Sequence, residues 1–416
     1  MKLIKLALPL FVALAYAPAQ VLAAVPLLGG DLNAQTIFSN EYTTTGANSI
    51  VYGNVLAGGV STTGAHAAVF GNLTSVGAAN TGGAGSSVSG NILSGGVSTT
   101  GDGSKISGSI ISSGASTIGA NATVGLNMVS GGALTTGANS KVAGSIVSGG
   151  AASIGANSQV AGSVSSGAAI TVSAATGTST GSLFPSVATS LVPTTLTANL
   201  ASTVTADATA VAAARAALSK MTTTSTIDVA NIAANRTFTP GVYSTSGYLT
   251  TTASTTITLD GQNLADQSWV FNIGGYLTTG ASTKIVLINA GKGDSVIWNT
   301  GGYASLGASS DFIGTILAKD YISVGADAAA TATTLSSPTI SCGGLFSQTS
   351  YVSTGAGAII GGTGCAGVGN GFAIDGDGKA YHISSITAAV PEPETYAMLL
   401  AGLGLMGFMV RRKKQA

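Results

Sequence analysis

Residues 117–134 read TIGANATVGLNMVSGGAL and residues 135–152 read TTGANSKVAGSIVSGGAA, one 18-residue unit written twice. Outward from this pair, its marker glycine recurs as Gly46, Gly64, Gly83, Gly101, Gly119, Gly137 and Gly155, at steps of 18, 19, 18, 18, 18 and 18. A fixed period of this length is the mark of a stacked repeat. Five residues after each marker stands an apolar residue: Val51, Val69, Val88, Ile106, Val124, Val142, Val160. Nine after stands another: Val55, Leu73, Ile92, Ile110, Met128, Ile146, Val164. Position seven holds Gly53, Gly71, Gly90, Gly108, Leu126, Gly144 and Gly162, and alternation predicts that five, seven and nine share one face of a short strand. Val60, Ala78, Val97, Ala115, Ala133, Ala151 and Ala169 are expected as a third inward column. Pairs such as Gly58-Gly59, Gly95-Gly96 and Gly149-Gly150 are expected at corners that need positive φ. Eighteen residues with three apolar columns predict one turn of a three-sided parallel β-helix. Seven coils at roughly 4.8 Å would span about 34 Å. A flexible Gly/Ser linker has no reason to hold such columns in register.

The composition agrees with that reading. Of 416 residues, 7% are charged, against roughly 25% in an ordinary soluble protein. Sixty are Gly, and the formal net charge is zero. Charged coiled coils and charge-rich disorder are excluded, and without a basic stripe no nucleic-acid partner is expected.

Beyond the repeats, Pro185 and Pro193 lie in a stretch, Leu183–Ala201, read as a connector. An Ala-rich helix is predicted over Thr203–Met221, with Val204, Val211 and Leu218 on one stripe filled by Ala208 and Ala214. That stripe should lie along the solenoid, with the Arg215 stem on its margin and the charge in water. Five later segments align on Tyr248, Tyr276, Tyr303, Tyr321 and Tyr351 at spacings of 28, 27, 18 and 30. They predict a second, less regular solenoid with Leu249, Leu277, Ala304, Ile322 and Val352 inward. The expected fold class is therefore mainly β: a parallel β-helix of about 18-residue coils, one long α-helix alongside, and a C-terminal membrane segment.

The ends read as addresses. Residues 1–24 carry Lys2 and Lys5, an apolar Leu6–Tyr16 and a small-residue site at Val21-Leu22-Ala23, the pattern of a secretory signal. The C-terminus carries Val390-Pro391-Glu392-Pro393-Glu394, an apolar run over 396–410, and Arg411-Arg412-Lys413-Lys414. Fifteen apolar residues are short for a span, and the basic cluster should stay cytoplasmic, so a transient inner-membrane stop is expected. The tail, with Pro391, Glu392 and Pro393 as its motif, resembles a PEP-CTERM sorting signal. That resemblance implies processing by an exosortase in a Gram-negative, exopolysaccharide-making bacterium, and delivery to the cell surface or matrix. Without both ends the chain has nine basic and 13 acidic residues, near −4. Cys342 and Cys365 are expected to pair in an exported protein, or to remain two buried thiols. The expected division is 1–24 signal, 25–182 repeat solenoid, 183–225 connector and helix, 226–367 second solenoid, 368–390 hairpin and 391–416 sorting tail.

Further wording carries a second resemblance. Leu27-Leu28-Gly29-Gly30-Asp31-Leu32 precedes the strands, and Phe238-Thr239-Pro240-Gly241-Val242-Tyr243 follows the helix. Then come Ser268-Trp269-Val270-Phe271-Asn272-Ile273-Gly274, Val296-Ile297-Trp298-Asn299 and Phe312-Ile313-Gly314-Thr315-Ile316-Leu317-Ala318. Over about residues 200–345, and more weakly over 28–60, the chain resembles microbial ice-binding proteins with a discontinuous β-solenoid flanked by a long helix. The resemblance implies ice binding through a flat solenoid face. The 18-residue repeats are an insert relative to that family.

Chemistry for catalysis is missing. His66 and His382 are the only histidines, and no His/Cys cluster has metal-ligand spacing. His66 fills a slot held elsewhere by Asn48, Asn121, Asn139 and Asn157, a turn position. Asp375-Gly376-Asp377-Gly378-Lys379 breaks the calcium-loop pattern at Lys379 and Ile386 and reads as a hairpin turn. Gly402, Gly404 and Gly407 match a dinucleotide fingerprint only inside the apolar tail. No enzyme, cofactor or metal is expected.

What remains is a surface. Two residues before the markers stand Thr44, Thr62, Thr81, Thr99, Thr117, Thr135 and Ser153, and alternation turns this file outward. Thr250, Thr278, Ser305, Ser323 and Ser353 hold the equivalent slot later. Thr is stiff at χ1, so the file is ordered before it binds anything. It could organise ice-like water, or simply solvate the β-helix. A second file, Asn54, Asn72, Asn91, Ser109, Asn127, Ser145 and Ser163, reads as structural. The expected partners are ice or ordered water, with exopolysaccharide for a matrix protein or adhesin as the rival.

Overall fold

The computed structural model describes residues 25–173, 179–186, 195–227, 231–291, 293–330, 343–362 and 371–383. The expected signal, Cys342, Cys365, the Pro391-Glu392-Pro393 motif and the 396–410 segment lie outside them. Among the described residues no helix is long and apolar enough to cross a membrane.

The chain winds as a parallel β-solenoid with three long sheets of 14, 15 and 14 strands. Both sets of coils share those sheets. The first coil stacks on the last: Thr43–Thr45 pairs with Val352–Thr354, Ile50–Tyr52 with Ile359–Ile360, and Gln35–Ser39 with Leu345–Ser347. The repeats grow away from that junction in one direction and the coils of residues 225–360 in the other. The long helix, Leu196–Ser219, returns the chain from the repeat side to the opposite side.

Each coil has three short strands, and one corner per coil needs a left-handed residue. Asn48, His66, Asn121, Asn139 and Asn157 hold it at φ 55–58°, with Gly85 and Gly103 at 70° and 67°. Ser254, Ser282, Ser309, Asp327 and Gly357 hold it in the later coils. Asn tolerates this conformation best among side-chain-bearing residues, which is why it fills the slot so often. The expected turn role of His66 is thus observed. The paired glycines are different: Gly58, Gly95 and Gly149 do not have positive φ. A Cβ at Gly95 would overlap the Val76 carbonyl and one at Gly149 the Gly131 carbonyl. Close stacking of backbone, not handedness, requires glycine there.

Two inward assignments also change. Positions five and nine belong to different sheets, with position seven at the corner between them, so Leu126 is 52% exposed. Val60 and Val97 are 39% and 43% exposed, and Ala133, Ala151 and Ala169 are exposed beside them. The third inward column is one residue later: Ser61, Ala79, Ser98, Ser116, Leu134 and Ala152 are buried. Hydropathy favours the Val/Ala column, but the strand register decides which column sees the core.

The cores of the two regions differ. Repeat coils are filled by Val, Ile, Leu and Met, while the later coils hold Trp269, Phe271, Trp298 and Phe312. Phe271 and Trp298 stack at 4.0 Å, and the Trp269 and Trp298 indoles donate to the Phe238 and Ile313 carbonyls at 3.1 and 2.9 Å. Leu249, Leu277, Ala304, Ile322 and Val352 are inward as expected.

The helix begins at Leu196, seven residues before the expected start, because Leu200 continues the stripe of Val204, Val211 and Leu218. That stripe covers outward apolar residues of one sheet, among them Phe38, Val242, Val270, Ile297 and Phe346. Arg215 is half-buried, and its charge is held by protein groups rather than left to water alone. Its guanidinium donates to Gln348 Oε1 and the Thr300 carbonyl, each at 2.6 Å. Asn272 and Asn299 donate to the Leu218 and Arg215 carbonyls at the helix end, closing groups the helix cannot satisfy itself. A hairpin of Phe372–Ile374 and Ala380–His382 packs beside the helix with Leu27 and Leu28. Its turn is held by Asp375 Oδ1, which accepts from the Asp377 and Lys379 amides at 3.0 and 2.8 Å.

Candidate functional site

The sheet opposite in chemistry to the helix-covered one is built from three-residue strands such as Ser98–Thr100, Ser116–Ile118 and Leu134–Thr136. In each, the outer residues are buried and the central one points out. The central residues align by direct pairing: Thr44 with Thr62, Thr99 with Thr117, Thr117 with Thr135, and Thr135 with Ser153. Across the junction the same file continues through Ser353, Ser323, Ser305, Thr278 and Thr250. One line of hydroxyls, broken at Asn80, therefore runs from Thr250 to Thr171 along the sheet, at the roughly 4.8 Å pitch of stacked strands. No charged side chain interrupts the file.

Thr81 is the exception. It pairs with Thr100, is 1% exposed and faces the core. Asn80 takes the outward place, opposite Thr62 and Thr99. This coil has 19 residues, and its extra residue falls in the Gly82-Gly83 corner after the strand. Counting back from Gly83 therefore lands one residue late.

The Asn/Ser file has a structural duty. Asn54 Oδ1 accepts from the Asn72 amide at 2.7 Å, Asn72 from Asn91 and Asn91 from Ser109, both at 2.8 Å. Asn127 Oδ1 accepts from the Ser145 amide at 2.8 Å. These bonds hold successive corners together.

A further file lies beside the hydroxyl line. Tyr42, Tyr351, Tyr321, Tyr303, Tyr276 and Tyr248 stack as one ladder, centroids 4.6–5.2 Å apart and planes within 9°. Each sits two residues before a central Ser or Thr, so alternation could have revealed the ladder from sequence. Burial, then the neighbouring phenols, push Tyr321 above the usual tyrosine range, and burial, Tyr351 and Glu41 do the same for Tyr42. On the repeat side the ladder's place is taken by Val60, Ala78, Val97, Ala115, Ala133, Ala151 and Ala169.

The outward sheet thus presents an uncharged line of hydroxyl side chains on a three-sided solenoid with a flanking helix, and no cluster of His, Cys, Asp and Glu among the described residues is suited to a metal ion. Residues 178–360 match the ice-binding-like family. Residues 389–413 match the PEP-CTERM protein-sorting motif. The ice-binding-like segment thus holds the helix and the later coils, and the repeats before residue 178 lie outside the match. No curated protein matches the sequence. Among solved structures, an ice-binding protein from the Antarctic ascomycete Antarctomyces psychrotrophicus overlaps at 15% identity and TM-score 0.38, covering 81% of this chain and 97% of that one. An ice-binding protein from an Antarctic bacterium of the Flavobacteriaceae overlaps at 14% and 0.32, covering 82% and 99%. An ice-binding protein domain from Shewanella frigidimarina overlaps at 21% and 0.33, covering 54% and 92%.

Proposed function

We propose that the protein is exported and binds ice without catalysis, through the outward Thr/Ser line of its uncharged sheet. The observation that carries this is the register: paired central residues place Thr44, Thr62, Thr99, Thr117, Thr135, Thr278 and their neighbours on one straight file. The match of residues 178–360 supports the ligand, and the sorting motif supports a surface destination. Individual contacts to a lattice are weak, and a file of them acts together by multivalency. The alternative is a rigid spacer in exopolysaccharide, favoured by the Asn/Ser bonds that stiffen the corners. Partitioning the purified mature chain into slowly grown polycrystalline ice separates the two. Enrichment in the ice supports the proposal, and exclusion to the level of an inert protein leaves the spacer.

A further inference from the structure

The outward sheet changes character at the junction of the two sets of coils. On the side of residues 225–360 the Ser/Thr line runs beside five stacked tyrosines, and Tyr42 of the first coil continues the stack by one ring across the junction. Their rings are parallel and spaced like the coils, so their normals follow the solenoid axis, and each ring is a bulky side chain on the corner two residues before the line. Every Ser or Thr of the line there is only partly exposed. A row of such rings beside the line leaves less room for a planar lattice than a row of Val and Ala does. On the repeat side Thr44, Thr62, Asn80, Thr99 and Ser153 are likewise partly exposed, but Thr117, Thr135 and Thr171 are exposed, and from Val60 onward the neighbouring column is no taller than valine. That column is itself unexpected: Val60, Val97, Ala133, Ala151 and Ala169 are held in water although nothing in the fold requires apolar side chains there. An apolar file running beside the Thr line offers methyl groups to a ligand along the same pitch.

Resting on the reading above, we infer that the ice-contacting area is the repeat side of this sheet, the Thr line with its Val/Ala column from Val60 to Thr171. The tyrosine ladder forms its boundary and keeps the later coils out of flat contact. The repeats, outside the ice-binding-like match, then carry the site, while the matched segment supplies the helix-braced base on which they stack.

Two paired variants of the full mature chain test this by ice partitioning. Thr117→Tyr with Thr135→Tyr should lower the ice-bound fraction several-fold, and far more than Thr278→Tyr with Ser305→Tyr does. All four side chains point outward, so the melting temperature reports whether folding is intact. Should the first pair fail to fold, Ala133→Lys, at an exposed position, carries the same expected loss. Loss from the second pair alone, or equal loss from both, overturns the inference while leaving ice binding standing. Failure of the unmodified chain to enter ice overturns both.

Discussion

The repeat coils and the coils of residues 225–360 share sheets, corners and a hydroxyl line, yet they are stabilised differently. Later coils vary in length and hold stacked aromatics inside and a tyrosine ladder outside. The repeats hold 18 residues per coil, with one coil of 19, and small side chains, and their interior is partly hydroxylic. Ser94 Oγ donates to the Gly77 and Val97 carbonyls at 2.9 and 3.0 Å, and Ser130 Oγ to the Gly114 carbonyl at 2.7 Å. Regularity and an aromatic core are thus two routes to the same stack. Only on the regular side, from Val60 onward, do Val and Ala stand where the tyrosines stack elsewhere.

The largest expected contrast is in the cores. Trp298→Ala removes a stacked, fully buried ring and should cost about 3–5 kcal/mol, felt by the helix and the later coils together. Ile110→Ala should cost about 2–4 kcal/mol and loosen mainly the repeats, because each coil touches only its neighbours. Denaturant unfolding followed by hydrogen exchange checks both. Equal spread of the Ile110 effect through both regions would erase the contrast.

A smaller effect sits under the helix. Asp207 is 6% exposed with Oδ2 unpartnered, and burial, aided by Asp31, raises its pKa to about 6. A carboxyl raised in the folded state gives stability that is full below its ordinary value near 4. That stability is lost as pH rises through about 6. Asp207→Asn should therefore stabilise at pH 7–8 by on the order of 1–2 kcal/mol, allowing for solvent screening, and change little at pH 4. Melting curves across that range read the sign.

The smallest concerns Thr81 and Thr100, whose hydroxyls are buried without a partner on the inner side of the outward sheet. Ile118 and Ile154 occupy the same file, so the site accepts apolar side chains. Thr81→Val should stabilise by about 1 kcal/mol and leave ice partitioning intact. A loss of ice binding would return Thr81 to the surface.

Much of this was legible in residue order. The 18-residue period announced the coils, the apolar residues five and nine after each marker the core, and Val204, Val211 and Leu218 the packed helix stripe. Errors arose where the alphabet of a repeat is ambiguous. Ala, Ser, Thr and Gly serve both inside and outside these coils, so hydropathy placed Val60 and Ala133 inward and a marker glycine misplaced Thr81. Only pairing across coils fixes such assignments. Arg215 misled for another reason: its partners, Gln348 and the Thr300 carbonyl, are distant in sequence.

The most direct measurement is a coil-count series. Deleting residues 101–136 removes two repeats without changing register, and duplicating them adds two. Ice recrystallisation inhibition at equal molar concentration should fall steeply in the shortened chain and rise in the lengthened one. Inhibition that ignores the number of repeats would contradict a contact surface built from them.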